Sequence, residues 1–244
     1  ENLRCLPKLK SETMAYRPPR FMWYPETQFC YMRSGNMFLA AKGGHNNESH
    51  NHNDVGTCIL AIDNVPLLID AGVGTYTKKT FSSERYTIWT MQSNYHNLPI
   101  INGQPESFGT QYHATQVRAD EKRCIFTADI AVDSWIRAYQ LQKNRLVITD
   151  DYRLKMKKAP NQLNFMTWGN VDISEKGRIK LHINKVKATL SYDANVFKPT
   201  VEAVELTDQR LSKVWGDRIY RITLTANDQA LSGQYRCTVT RDNP

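Results

Sequence analysis

The chain has 244 residues, 41% of them hydrophobic, which is enough for one substantial core, and it lacks any run of about 18 apolar residues that could cross a bilayer as a helix. Lys and Arg outnumber Asp and Glu by 32 to 24, a formal charge of +8 that suits a polyanionic partner. With no zinc-finger spacing, no RNA-binding aromatic signature and no phosphate-binding glycine loop, nucleic acid falls behind acidic polysaccharide as that partner.

From the start, Pro18, Pro19 and Pro25 punctuate a stretch rich in aromatics, and proline at that density disfavours a central strand. Residues 1–25 are expected to form a connecting arm lying over a surface, and residues 26–244 a single domain. Glu1 to Lys10 contain no apolar signal segment, so an intact secretory precursor is not expected. Met37–Lys42 is the first regular strand expected. Further strands are read at Cys58–Ile62, Pro66–Asp70, Tyr112–Arg118, Cys124–Ala131, Trp135–Gln142, Leu146–Tyr152, Leu163–Trp168, Ile179–His182, Ala188–Tyr192, Val201–Leu206, Ile219–Ala226 and Gln234–Arg241. Asp63-Asn64 and Lys143-Asn144 are short polar connections suited to tight hairpins, so antiparallel pairing follows. The best helical segment is a short one near Glu84–Met91. The fold expected is all-β, an antiparallel multi-stranded β-sandwich. Five cysteines, Cys5, Cys30, Cys58, Cys124 and Cys237, are too few and dispersed for a disulfide framework; Cys58 and Cys237 read as buried, inert thiols.

Four of the six histidines, His45, His50, His52 and His96, fall within Lys42–Asn102. In an extended segment His50 and His52 share a face. Asp70 ends an apolar run before Ala71-Gly72, and a hairpin turning at Asp63-Asn64 returns it toward Asp54–Gly56. With His96 it completes a two-histidine, one-carboxylate set suited to zinc or another borderline divalent metal. Each residue also has a plainer reading: the H-x-H pair as a surface loop held by Asx turns, Asp70 as a strand-end cap, His96 as a loop residue, and His113 and His182 as half-buried strand residues. Two other classes compete. A cupin-like metal barrel would need a glutamate soon after His52, where Gly56 and Thr57 stand instead. A non-catalytic glycan-binding sandwich would need exposed aromatics such as Trp23, Trp89 and Trp135.

The run from Gly43 to Asp54 (Gly-Gly-His-Asn-Asn-Glu-Ser-His-Asn-His-Asn-Asp), then Leu67-Leu68-Ile69-Asp70 through Tyr76, then Tyr95-His96-Asn97, resembles the C-terminal domain of heparinase II/III-like polysaccharide lyases, densely over Trp23–Gly103. The resemblance implies a supersandwich and β-elimination at a uronic acid. It implies a catalytic role for His50 and a zinc site, structural rather than catalytic, made by His52, Asp70 and His96. Glu48, Asn53 and Asp54 become candidates to orient the imidazoles, and Tyr76 a candidate to touch substrate. It further implies an N-terminal α/α toroid domain that supplies the remaining catalytic groups, so this chain is expected to be inactive alone. Location in the bacterial periplasm or outside the cell is likewise inferred from the family.

Overall fold

The computed structural model describes residues 18–130, 133–228 and 230–242. Among these the strands in chain order are β1 (Phe21–Tyr24), β2 (Phe29–Ser34), β3 (Met37–Lys42), β4 (His45–Asn46), β5 (Cys58–Ile62), β6 (Val65–Leu68), β7 (Pro99–Ile100), β8 (Gly109–Ala119), β9 (Arg123–Ile130), β10 (Asp133–Gln142), β11 (Arg145–Arg153), β12 (Gln162–Thr167), β13 (Asn170–Asp172), β14 (Arg178–Ile183), β15 (Val186–Ser191), β16 (Phe197–Glu205), β17 (Arg218–Ala226) and β18 (Ser232–Arg241). A short helix, α1 (Gln209–Trp215), precedes β17.

These strands form three antiparallel sheets: five strands in the order β1-β2-β3-β5-β6, nine in the order β13-β14-β15-β18-β11-β10-β9-β8-β4, and four in the order β16-β17-β12-β7. The expected antiparallel β-sandwich is observed. Side chains of alternating parity supply the core. In β3, Met37, Leu39 and Ala41 are buried while Phe38, Ala40 and Lys42 are not, and β14 buries Ile179, Leu181 and Ile183 in the same way. These residues join Leu60 and Ile62 of β5, Phe126 of β9, Tyr139 of β10 and Leu163 of β12 in one apolar cluster that spans all three sheets. Complete burial of a leucine, isoleucine, phenylalanine or methionine side chain is worth about 1.5–3 kcal/mol.

The hairpin at Asp63-Asn64 forms as expected: Ile62 faces Val65, and both turn residues take positive φ, +51° and +62°. That is the left-handed pair a two-residue turn demands. Gln142 likewise faces Arg145 across Lys143-Asn144.

Several expectations are corrected. Met37–Lys42 is not the first strand, because Phe21–Tyr24 and Phe29–Ser34 precede it. The prolines flank β1 rather than interrupt it, and β1 pairs on one side only, an edge position where neighbouring proline costs no ladder bond. Residues 1–17 of the expected arm lie outside the described residues. Glu84–Met91 is not one helix but two 3-10 turns, Arg85–Thr87 and Trp89–Met91, broken where Ile88 adopts an extended conformation. Cys58 and Cys237 are buried free thiols, as read from their neighbours, and Cys5 lies outside the described residues.

Candidate functional site

Three loops meet at one end of the five-stranded sheet. The first, residues 43–57, leaves β3 and returns as β5. Its mouth is closed by Lys42 N–H donating to Thr57 O (3.1 Å) and Gly56 N–H donating to Lys42 O (2.8 Å). Gly56 has φ +83°, and a Cβ there would stand 2.9 Å from the Trp135 ring, so only glycine fits. Inside the loop Asn51 O accepts two bonds from the Arg85 guanidinium (3.1 and 2.9 Å), and Asn53 N–H donates to Met91 O (2.9 Å). These ties bend the H-x-H segment. It is a turn rather than an extended strand, with His50 at φ +59°. The alternation expected for His50 and His52 is therefore not what aligns them, yet both line the same cleft, His50 exposed and His52 only 9% exposed.

The second loop begins two residues beyond β6. Asp70 Oδ1 accepts the Gly72 N–H (2.7 Å), and Ile69 N–H donates to Met166 O (2.9 Å). Farther along, Asp208 caps α1 through the Arg210 and Leu211 amides and also accepts Thr75 N–H (2.7 Å), while Trp215 Nε1 donates to Ala71 O (3.1 Å). Helix α1 thus clamps the chain that follows Asp70.

The third loop ends in the 3-10 turn Ser93–Tyr95 and delivers His96. Its neighbour Asn97 is the fastener: Nδ2 donates to Cys58 O (2.7 Å) and Ile69 O (3.0 Å), and Oδ1 accepts Met166 N–H (2.7 Å). One buried side chain so connects the start of β5, the residue before Asp70 and the residue after His96. Beneath it, Arg137 of β10 is fully buried and donates to Asn97 O (2.6 Å) and to both carboxylate oxygens of Asp150 (2.7 and 2.9 Å). Tyr139 Oη donates to Gly56 O (2.7 Å) and Trp135 Nε1 to Asp150 (2.7 Å).

The result is convergence. One ligand atom each from His52, Asp70 and His96 lies within 4.8 Å of the others. His96 Nδ1 is 3.2 Å from Asp70 Oδ2, and the two imidazole centroids are 5.4 Å apart. Neither buried nitrogen of His96 makes a hydrogen bond, despite that short distance. The Nδ1–Oδ2 approach is a close ionic contact without full hydrogen-bond geometry, and both atoms belong to the converging set. A two-histidine, one-carboxylate set fits zinc with one position left open. The electrostatics favour this at His52 and Asp70 and oppose it at His96, whose proton a cation would have to displace. Burial opposes charge on both rings; at His52 it prevails, helped by His96, and holds the ring below the usual histidine range. At His96 the Asp70 carboxylate overcomes burial and raises it. Burial would raise Asp70 too, but His96, His52 and the Gly72 N–H hold its carboxyl well below the usual range. An ionised carboxylate beside a neutral imidazole is what a divalent cation requires.

The adjoining cleft, about 450 Å³, is lined by His50, Lys42, Asp54, Phe29 and Tyr31 together with His52 and Asp70. Burial works against the Lys42 ammonium, but Asp54 (2.6 Å) and Glu48 (3.5 Å) outweigh it and raise its pKa. Glu48 also accepts His45 N–H (3.3 Å), and the Asn53 side-chain oxygen is buried with no partner. No hydrogen bond runs from Glu48, Asn53 or Asp54 to the imidazoles of His52 or His96 among the described residues. Tyr76 is 42% exposed, packs edge-on against Phe81 (5.6 Å) and does not line the cleft. His113 and His182 are exposed strand residues.

Sequence reading missed Arg85, Asn97, Arg137 and Glu106. Glu106 is 6% exposed and accepts from Asn46 Nδ2 (2.9 Å) and Val55 N–H (3.0 Å), pinning the first loop from behind. Burial pushes its carboxyl up to about 7 from 4.5. In that window the folded state binds a proton the unfolded chain has lost, so stability falls as pH rises from about 4.5 to about 7, by on the order of 3 kcal/mol in total. Urea unfolding at several pH values checks this; Glu106→Gln flattens the slope, and an unchanged slope in that variant rejects the assignment.

The fold recurs in solved structures. The heparan sulfate lyase HepC from Pedobacter heparinus superposes with a TM-score of 0.73 at 15% identity, covering 99% of this chain and 39% of that one. A structure of heparinase III gives 0.66 at 16% identity, covering 93% of this chain and 38% of that one. This chain thus spans about two-fifths of the length of the lyases it matches. No match is found by sequence among curated proteins. The family model described as heparinase II/III-like, C-terminal, matches residues 17–156, more than half of the chain, and the protein belongs to that family.

Proposed function

We propose that this chain is the sandwich domain of a polysaccharide lyase that cleaves uronic-acid-containing acidic polysaccharide by β-elimination. The observation that carries the reading is the convergence of His52, Asp70 and His96 beside a cleft whose wall presents His50. In β-elimination a base removes the proton at C5 of the uronate, the electron pair forms the C4–C5 double bond, the C4–O bond breaks, and the leaving oxygen takes up a proton. His50 contributes an imidazole able to give or accept a proton at the cleft wall. His52, Asp70 and His96 would hold zinc; when bound, the ion supplies cross-linking charge that fixes three loops and thereby the placing of His50. The remaining acid–base and carboxylate-neutralising groups come from a preceding helical toroid domain, a reading supported by the short span of this chain relative to the lyases. Export to the periplasm or beyond is part of the same proposal. No helix among the described residues is long and apolar enough to cross a membrane.

The glycan-binding alternative loses the tryptophans it relied on: Trp135 is 1% exposed, and Trp23 and Trp89 are packed against the apolar clusters. The test is His50→Ala in the full-length enzyme, followed by absorbance of the conjugated C4–C5 double bond. A fall in kcat of about 10²–10⁴-fold with unchanged zinc content is expected. Activity within a few-fold of the parent sinks the assignment of His50.

A further inference from the structure

The outer face of the five-stranded sheet carries a row of side chains that the metal centre does not use. In β2, Cys30 and Met32 point into the core, so Phe29, Tyr31 and Arg33 face outward, as does Phe38 of β3. Phe29 and Tyr31 lie 6.2 Å apart with ring planes 8° from parallel, and Tyr31 and Phe38 repeat this at 6.2 Å and 14°. The Arg33 guanidinium sits 4.4 Å from the centre of the Phe38 ring. It is exposed, and among the described residues no carboxylate pairs with it. Other surface arginines such as Arg236 are also without a carboxylate among the described residues; Arg33 differs in lying over an aromatic ring in a depression that shares Tyr31 with the cleft. Tyr31 belongs to two depressions at once: the cleft of His50, and a second of about 410 Å³ that also holds Arg33, Phe38 and Tyr24. Tyr31 thus stands between the two.

We infer that Tyr31, Phe38 and Arg33 form a distal subsite for the acidic polysaccharide, holding sugar residues beyond those in the His50 cleft. This rests on the lyase reading above and extends it. The C–H faces of a pyranose are apolar and pack on aromatic rings, while its carboxylate or sulfate suits the planar fork of a guanidinium. Arg33 is already held over Phe38, so it loses little freedom on binding. Lys42, at the other end of the track, is neutralised by Asp54 and Glu48 and leaves this role to Arg33.

The test is direct binding of heparin-derived tetrasaccharide and dodecasaccharide to the chain. Arg33→Gln is expected to weaken the dodecasaccharide about three- to tenfold and the tetrasaccharide less than twofold, and to reduce the slope of log affinity against log salt by on the order of one. Tyr31→Ala gives the same length-selective loss without the change in slope, and Arg33→Lys keeps the slope. Arg236→Gln, the same charge change at an exposed site on β18, leaves both affinities unchanged. Equal dodecasaccharide binding by the parent and Arg33→Gln overturns the subsite and leaves the lyase reading standing, as does an equal loss in Arg236→Gln. If no oligosaccharide of either length binds the parent, the subsite is overturned, while the lyase reading stands or falls on the His50→Ala test.

Discussion

Zinc added to the metal-free chain is expected to raise its melting temperature by on the order of 10 °C, and to do nothing in His52→Ala or Asp70→Ala. A ligand that binds only the folded state stabilises by about 4 kcal/mol at a thousandfold excess over its Kd, and in a domain of this size each kcal/mol moves the melting temperature by about 2–4 °C. The effect is large because the three ligands come from three loops, 18 and 26 positions apart in sequence, and the ion would add a direct link among loops otherwise joined by Asn97 and by the Arg85–Asn51 and Asn53–Met91 bonds. His50→Ala should keep the full response, since His50 lines the cleft but does not belong to the converging set. Scanning calorimetry with metal analysis decides. A parent that neither binds nor responds to zinc would remove the metal from the account and leave His96 with two buried, unbonded nitrogens to be explained otherwise.

The second large effect concerns Arg137. Arg137→Met leaves Asp150, 1% exposed, as a buried carboxylate without its counter-ion, and breaking such a pair costs about 3–5 kcal/mol. Adding Asp150→Leu removes the stranded charge and should recover a good part of that loss. It does not restore the bond to Asn97 O or the acceptor for Trp135 Nε1. The double variant is therefore expected to fold yet bind zinc more weakly, because the backbone next to His96 has lost its anchor. Denaturant titration of the single and double variants, with zinc affinity measured on the double, separates the two roles. A loss below about 1 kcal/mol in the single variant would show that the ion pair is not what holds this region.

Much of this was open to reading in the sequence, some of it further than it was taken. The Asp63-Asn64 turn was legible because a two-residue hairpin needs left-handed residues and Asn and Asp tolerate that conformation. The convergence of His52, Asp70 and His96 was legible because histidine beside Asn and Asp is too polar for a core and the Asp63-Asn64 hairpin returns Asp70 toward them. The Arg137–Asp150 pair was within reach: once Gln142 faces Arg145, the same register sets Arg137 opposite Asp150, and the parity of Trp135, Tyr139 and Leu141 puts Arg137 on the buried face. An arginine in an apolar parity is a signal in itself. Helix α1 also had its marks, Asp208 before and Gly216 after, but seven residues give too few turns for a periodic stripe. Three features were not legible. Strand β1 hides among prolines, the 3-10 turns of the third loop have no hydrophobic period, and the bend at His50 is imposed by Arg85, 35 positions away.

The order of the nine-stranded sheet bears on how the chain is made. Strand β18 lies between β15 and β11, so Ile148 waits for Cys237 and Leu190 for Val239. During synthesis, β8 to β11 and β13 to β15 emerge as two partial sheets, each with an open edge, and neither can be sealed until the ribosome has delivered residues 232–241. Pairings this distant in sequence close slowly. The interval between the birth of β11 and that of β18 is thus the period in which a nascent chain most needs a chaperone's protection from its neighbours.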